Sequence, residues 1–471
     1  MALKAEFCVP RKTGIYKASM NPAIERIRSV TRDTEYHDRL FLVGGIVRDK
    51  VMGRPPTEDV DIVLEGDALE LANFLYGKGI TDHRPVVYPR FGTAMVIIGG
   101  RTVELVSARK ESYVSVSRKP DVEPADLYDD MLRRDFTINT LLENLHTGEI
   151  LDLTRTAFDD IKAGIIRTPT EPETTFYDDP LRMLRAIRFA VRFDFSIEQT
   201  TYEAIVRDAP RLSIISKERI RDEFVKILLT DRGAQGLRML NESGLLIQFA
   251  SELIEMQGVT QTGGHIYDVW EHSLHALDSL SPLADLTLRL AVLFHDTGKP
   301  NTKTVDNNGN THFYGHEDLS AEIARKVMNR LRFPKSDTAR VARLIGMHMR
   351  IGEYRSEWKD SAVRRLMRDA GDDISDLIAL AEADRHGANP HASTDDLRSL
   401  ERRMEHILLK IQVSEFQSPL TGTEIMALLN FPPGPKVKEA KHYLVDEIIE
   451  GRLMPNDKET ARKLLLRKFG L

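Results

Sequence analysis

The chain has 471 residues, and its 66 Lys plus Arg against 72 Asp plus Glu leave a formal net charge of −6. Hydrophobic residues at 41% and charged residues at 29% are ordinary for globular proteins, which excludes fibres and long disorder, and at roughly 150 residues per domain the length implies about three domains. The mild acidity excludes a histone-like basic coat, although local basic stripes, which are what a nucleic acid touches, are independent of the total.

In chain order, Arg39 to Val43 (RLFLV) reads as a short buried strand, followed by Gly44-Gly45 and by IVRDKVMG, whose Ile46, Val47, Val51 and Met52 fit a helical stripe ended by Gly53. Strand patterns then recur at Val60 to Leu64, Ala94 to Ile98 and Thr102 to Ser107, with a helical one at Ala68 to Tyr76. The first 150 residues therefore read as a mixed α/β unit. From Leu181 to Leu471 the period is helical almost throughout, without a convincing alternating strand. Glycines and polar residues interrupt it at 257–265, and a second break falls at Glu415 to Pro419. No fixed-period repeat or low-complexity tract occurs, which leaves little room for a solenoid.

Asp59-Val60-Asp61 stands at the start of a predicted strand, where residues two apart share a face, so both carboxylates project to one side about 7 Å apart along the backbone. One divalent ion can bridge such a pair, and hard oxygen ligands suit Mg²⁺, which commonly binds through one or two carboxylates plus substrate phosphates. Gly44-Gly45, at a strand-to-helix turn, offers backbone N–H groups to a triphosphate held by that metal. Glu104, on the TVELVS strand, supplies a third carboxylate for a two-metal site that activates a 3′-hydroxyl and stabilises the leaving pyrophosphate.

The run LVGGIVRDKVMGRPPTEDVDIVLEGDA (42–68) resembles the catalytic signature of the bacterial tRNA nucleotidyltransferase and poly(A) polymerase family, within the polymerase-beta-like superfamily. In the same order, RRDFTINTL (133–141) resembles the family's arginine-rich second motif and DDPLRMLRAIRFAVRFDF (178–195) its nucleotide-selecting third and fourth motifs. The resemblance implies an α+β architecture: a polymerase-beta-like nucleotidyltransferase head with a mixed sheet (20–165), an all-helical neck (166–255), an HD body (256–410) and a helical tail (411–471). It makes Asp59 and Asp61 the Mg²⁺ ligands, puts Gly44, Gly45 and Arg48 on the triphosphate, and lines the nucleotide pocket with Arg133, Arg134, Asp135 and Asn139.

The third segment is also legible by itself. Arg182, Arg185, Arg188 and Arg192 recur at helical spacing and form one face, while Leu181, Leu184, Ile187 and Val191 form another that can pack on a core. Four arginines without a lysine favour phosphates or bases as partners. An aspartate accepts from the exocyclic amino group of cytosine or adenine, and an arginine donates to the neighbouring ring acceptor, whereas uracil and guanine present the opposite pattern. A protein template of Asp179 and Arg182, with Asp178 beside them, would admit CTP and ATP; relatives commonly have glutamate where Asp178 stands. In the family a mobile loop between the first two motifs governs the switch from C to A. The corresponding stretch 108–131 is polar, proline-interrupted and of full length, which favours CCA addition over CC addition alone. An A-adding enzyme or a poly(A) polymerase shares nearly the same motifs.

Histidines number 14, yet His272, His295, His316 and His348 fall in helical segments together with Asp296 and Asp384. With Cys8 as the single cysteine, neither a disulfide nor a thiolate cluster can form, so a metal must be held by oxygen and imidazole. The runs VWEHSL, LAVLFHDTGKP, YGHEDL, IGMHMR and AEADRHGAN resemble the HD phosphohydrolase domain over roughly 265–390. That resemblance implies a second divalent metal (Mg, Mn, Ni or Fe) on His272, His295, Asp296, His316, His348 and Asp384, and phosphatase, nucleotidase or cyclic phosphodiesterase activity on RNA ends. A competing expectation is an HD hydrolase whose head only binds RNA, but a binding module has no reason to keep Asp59, Asp61 and Glu104 as a costly cluster of like charges.

Ser216 is placed to cap a basic helical segment in the neck, and the tail reads as helix, FPPGP turn, helix (421–451). By resemblance, neck and tail support tRNA. The expected partners are tRNA, CTP and ATP, with no obligate protein partner. No run nears the roughly 20 apolar residues of a membrane span and the opening MALKAEFCVPRK lacks a secretory apolar region, so the expected location is the cytoplasm, with no membrane partner.

Overall fold

Short β-branched and aliphatic runs cannot bury their apolar sides alone, and in the computed structural model those near the amino end pair into one sheet. Residues 21–470 are described apart from 56, 58, 113–120, 262–265 and 411–417, so Cys8, the middle of the 108–131 stretch and parts of both breaks in the helical body lie outside the described residues. The chain divides into two compact units, Met1–Ile215 and Ser216–Leu471, a division that falls inside the expected neck.

The first unit opens with α1 (Pro22–Thr31), whose N-cap Asn21 accepts from the Ala23 N–H. Its strands are β1 (Leu40–Val43), β2 (Val60–Leu64), β3 (Val86–Tyr88), β4 (Thr93–Ile98), β5 (Arg101–Ser107), β6 (Arg109–Ser112), β7 (Asp121–Pro124), β8 (Leu142–Asn144), β9 (Ile150–Leu151), β10 (Ile165–Ile166) and β11 (Ser196–Ile197). Between them run α2 (Gly45–Val51), α3 (Ala68–Gly77), α4 (Leu127–Leu132), α5 (Ala157–Ala163), α6 (Pro172–Asp178), α7 (Leu181–Phe193) and α8 (Gln199–Asp208). The main sheet has seven strands in the order β3-β4-β5-β2-β1-β8-β9. Only β2 and β5 run parallel in it; the other pairs are antiparallel.

Alternation then assigns the faces. Leu40, Leu42, Val60, Ile62, Leu64, Ala94, Val96, Ile98, Val103 and Leu105 share a core with Ala23, Ile24 and Ile27 of α1 and Leu71, Ala72 and Leu75 of α3. Each large aliphatic side chain buried there contributes about 1.5–3 kcal/mol. The opposite face carries Phe41, Val43 and Val63, covered by Leu127 and Met131 of α4, and also Asp61 and Glu104.

The expected strands are present: β2 as expected, and β1, β4 and β5 with their first residue shifted by one. β3, β8 and β9 were not expected, being only two or three residues long. The stretch expected as a loop (108–131) is not a loop throughout: β6 and β7 pair antiparallel, and α4 begins at Leu127 on an Asp126 cap.

The second unit consists of α9 (Lys217–Leu228), α10 (Gly233–Glu242), α11 (Ile247–Ile254), α12 (Val269–Asp278), α13 (Leu286–Phe294), α14 (Lys299–Thr302), α15 (His316–Arg330), α16 (Lys335–Gly352), α17 (Asp360–Ala370), α18 (Ile374–Ala388), α19 (Asp395–Lys410), α20 (Gly422–Leu429), α21 (Pro435–Ile449) and α22 (Lys458–Phe469), with β12 (Thr304–Val305) and β13 (Thr311–His312) as a two-stranded hairpin. Ser216 does occupy the N-cap of α9, but its side chain makes no capping bond. The FPPGP turn separates α20 from α21, and these two share a core with α22 through Ile425, Leu444 and Leu465. Among the described residues no helix is long and apolar enough to cross a membrane.

Candidate functional site

In the first unit, fully buried β1 runs into Gly44, which holds φ +76° as N-cap of α2, a conformation that L side chains rarely adopt. A Cβ at Gly44 would lie 3.6 Å from Asp61 Oδ2 and 3.8 Å from Arg134 Nη1. The glycine therefore keeps open the space in front of the Asp61 carboxylate.

Asp61 and Glu104 are register partners on the parallel pair β2 and β5, so they stand side by side on one face. Asp59 immediately precedes β2 and, like Glu104, is exposed. Burial, then the charges of Glu104 and Asp59, push the Asp61 carboxyl up to about 6, with Arg134 opposing. The three carboxylates thus act on one another, but they are not drawn into a group with ligand atoms within 4.8 Å, as two clusters in the second unit are.

Behind this pair a polar network braces the segment 133–139. Buried Asp130 accepts from Arg133 Nε (2.9 Å) and Arg134 Nη2 (3.2 Å). Asp135 accepts from Arg185 Nε (2.7 Å), from the Asn139 amide (2.9 Å) and from the Phe136 N–H (2.9 Å). Burial opposes ionisation of Asp135, yet Arg185 and Asn139 outweigh it and hold the carboxyl well below the usual range. Arg48, only 3% exposed, donates to Asn139 Oδ1 (2.7 Å) and to Asp49 (2.8 Å), and its guanidinium lies 4.6 Å from the Phe193 ring centre. Arg48, Asn139, Asp135 and Arg185 therefore form one connected chain.

Helix α7 is buried on more sides than its charge pattern suggested. Arg182 donates to the Arg133 carbonyl (2.6 Å), Arg188 is buried over the Phe189 ring (4.1 Å), and Arg192 alone of the four is exposed. The stripe is not a fully solvated face, because Arg182 and Arg185 bond to a segment some 50 positions earlier. Asp178 ends α6, partly buried, and Asp179 Oδ1 accepts from the Leu181 N–H at 3.1 Å where α7 begins. Sequence reasoning missed Asp130; its spacing to Arg133 and Arg134, one helical turn, was the available signal.

In the second unit all six expected metal-binding residues converge from α12, α13, α15, α16 and α18. His272, His295, Asp296 and Asp384 form one group and Asp296, His316 and His348 another, each with ligand atoms within 4.8 Å, and Asp296 belongs to both. The Nε2 atoms of His272 and His295 lie 3.2 Å apart, those of His316 and His348 3.3 Å. Asp384 Oδ1 lies 3.0 Å from His272 Nε2, while Asp296 puts one oxygen 3.2 Å from His295 and the other 3.3 Å from His316.

The Nδ1 atoms of His295, His316 and His348 donate to the carbonyls of Val292 (2.7 Å), Phe313 (2.7 Å) and Ile345 (2.6 Å), which aims each Nε2 inward. Burial and the charge of His295 push His348 down to about 4. Burial opposes a charge on His295 as well, but Asp296 and Asp384 outweigh it and raise the ring to about 10. Buried imidazoles and carboxylates at this spacing fit divalent cations.

Two glycines set the close helix approaches. A Cβ at Gly387, one turn after Asp384, would meet the His272 carbonyl at 2.6 Å, and one at Gly298 would meet the His316 carbonyl at 2.5 Å. Lys299, which sequence reasoning missed, is buried and pairs with Asp296 (2.7 Å) and Gln261 (2.6 Å). Its spacing three after Asp296 was the signal.

The poly A polymerase head domain family matches residues 40–167, the probable RNA and SrmB-binding site of polymerase A matches 194–256, and the HD domain family matches 262–389. The CC-adding tRNA nucleotidyltransferase of Thermus thermophilus is 34% identical over 90% of this chain and 93% of its own length. The A-adding tRNA nucleotidyltransferase of Deinococcus radiodurans is 36% identical over 69% of this chain and 75% of its own. The CCA-adding enzyme of Bacillus stearothermophilus, solved in complex with CTP, shares the fold at a TM-score of 0.69 and 23% identity, covering 95% of this chain and 98% of that one. Over nearly its whole length, the chain belongs to the tRNA nucleotidyltransferase family with a poly A polymerase head and an HD domain.

Proposed function

We propose that this chain completes tRNA 3′ ends, adding C, C and A from CTP and ATP with release of pyrophosphate. The observation that carries the reading is the placement of Asp61 beside Glu104, in front of the space kept open by Gly44. Asp59 and Asp61 would hold Mg²⁺, which when bound supplies charge neutralisation at the triphosphate and activation of the RNA 3′-hydroxyl. Glu104 adds the third carboxylate. Arg134, with its guanidinium near Asp61, is positioned to meet phosphate charge, while Arg133, Asp135, Asn139, Arg48, Arg185 and Arg188 hold the walls of the nucleotide pocket.

Asp179 and Arg182, with Asp178, would read the base edge. The hydrogen bond from Arg182 to the Arg133 carbonyl already aims that guanidinium along the segment lining the pocket. Full CCA addition is preferred because the stretch 108–131, from which β6 and β7 come, is of full length in the sequence. Relatives are named CC-adding and A-adding, and one assay separates these two activities from full CCA addition.

Purified protein is offered tRNA ending before CCA, or before the final A, with each labelled nucleotide. Incorporation of C followed by a single A is the expected result; absence of CTP use excludes CCA addition, and absence of ATP use leaves CC addition. In the same assay Arg182→Ala is expected to raise UTP incorporation relative to CTP by about tenfold, the value of roughly one lost base contact; unchanged rejection of UTP would refute the template.

The HD cluster is proposed as a second centre, holding Mg, Mn, Ni or Fe on His272, His295, Asp296, His316, His348 and Asp384 and hydrolysing phosphoesters at RNA ends. Its support is the pair of ligand groups joined through Asp296.

A further inference from the structure

We propose that the exposed end of the acidic sheet face, at Val86 and Tyr88, is where the unpaired 3′ end of the RNA primer lies, with Tyr88 as its stacking platform; this rests on the nucleotide-transfer reading above. Register carries the argument. Asp61 pairs with Glu104, Glu104 with Met95, and Met95 with Val86, which makes one lateral row from β2 to β3. The next row on the same face runs from Val63 through Val106 and Thr93 to Tyr88. Both rows lie opposite the packed core, because Ala94 and Leu105 between them are buried against it.

Cover on this face thins toward the edge. Val63 is fully buried next to α4, Thr93 is 8% exposed, and Tyr88 and Val86 reach 43% and 51%. An exposed aromatic and aliphatic surface is thus continuous with the acidic pair. At roughly 4.8 Å per strand it begins about 14 Å from Asp61, which is close to the length of four stacked nucleotides at about 3.4 Å each.

The surrounding charges suit a polyanion. Exposed Arg90 sits in the turn Pro89–Phe91 that joins β3 to β4, 6.0 Å from the Phe91 ring centre, and Arg109 donates to Thr93 Oγ1 at 3.1 Å on the same face. Aromatic rings interleaved with arginines bind single-stranded nucleic acid through base stacking and phosphate contact. Addition of a protein strand fits poorly. β3 is three residues long and bracketed by Pro85 and Pro89, which lack the N–H a new strand needs.

The test uses the full chain and tRNA lacking its 3′-terminal nucleotides, with 2-aminopurine in the unpaired end. Tyr88→Ala is expected to weaken primer affinity and raise its KM about tenfold or more, the loss of roughly one stacked base. The KM for CTP and the thermal midpoint should stay at wild-type values. Tyr88→Trp should restore both affinity and 2-aminopurine quenching, which a phenol hydrogen bond would not predict. Unchanged primer affinity in Tyr88→Ala, or a loss that tryptophan does not restore, overturns the platform. Because quenching reads binding without chemistry, a wild-type chain that transfers no nucleotide defeats the proposed function alone, and fluorescence still decides Tyr88.

Discussion

Asp61→Asn is expected to lower nucleotide transfer by roughly a thousandfold or more, the scale seen when charge stabilisation at a reacting centre is lost. The same substitution is expected to stabilise the ion-free fold at pH 8. Burial, Glu104 and Asp59 raise the folded-state Asp61 carboxyl to about 6 from an ordinary value of 3.8, so between those values the folded state binds the extra proton. Stability therefore falls as pH rises from about 4 to about 6, and the cost persists above 6. Asparagine carries no charge and escapes that cost. Thermal unfolding in a chelator should show the variant melting above wild type at pH 8 and the difference closing at pH 4. A gap independent of pH would mean that Asp61 is not the strained carboxylate.

The core strands of the first unit were legible because period-two patterns such as VDIVL and TVELVS put every second residue into one core. β3 and β8 were not, since three residues establish no period. The acidic pair was legible as a spacing, but its alignment with Glu104 depends on strand order. No local pattern states that β2 lies beside β5. The partners of the α7 arginines were hidden for a related reason: Arg182 and Arg185 bond inward to Arg133 and Asp135, and long-range bonds leave no trace in helical periodicity.

The HD residues were the most legible, because imidazoles are scarce in the sequence and five helices bring the quoted ones together. Lys299 and Asp130 escaped notice since a lysine or aspartate on a helix reads as an ordinary solvated charge. The spacing of Asp130 to Arg133 and Arg134, and of Lys299 to Asp296, was a weak signal that such helical charges share, and burial, at 7% exposure for Lys299 and 0% for Asp130, sets them apart.

Asp296→Asn is expected to lower cation affinity more than about a hundredfold, beyond the usual loss for a ligand's supporting partner, because Asp296 is common to both ligand groups. Phosphoester hydrolysis should fall with it. Nucleotide transfer should hold within about twofold, since Asp59, Asp61 and Glu104 lie in the other unit; loss of both activities would contradict separate centres. Uptake of a cation is also expected to release a proton. In the ion-free cluster Asp296 and Asp384 overcome the burial penalty and keep His295 charged to about pH 10, whereas burial and His295 keep His348 neutral down to about 4. His295 would have to give up its proton to hold a metal, so affinity should weaken about tenfold for each pH unit lowered from 9 toward 6. Calorimetric titration with Mn²⁺ or Ni²⁺ in two buffers of different ionisation heat should read close to one proton released per cation. A heat that does not depend on the buffer would show that His295 is neutral before the ion arrives, and that the two carboxylates are balanced by Lys299 instead.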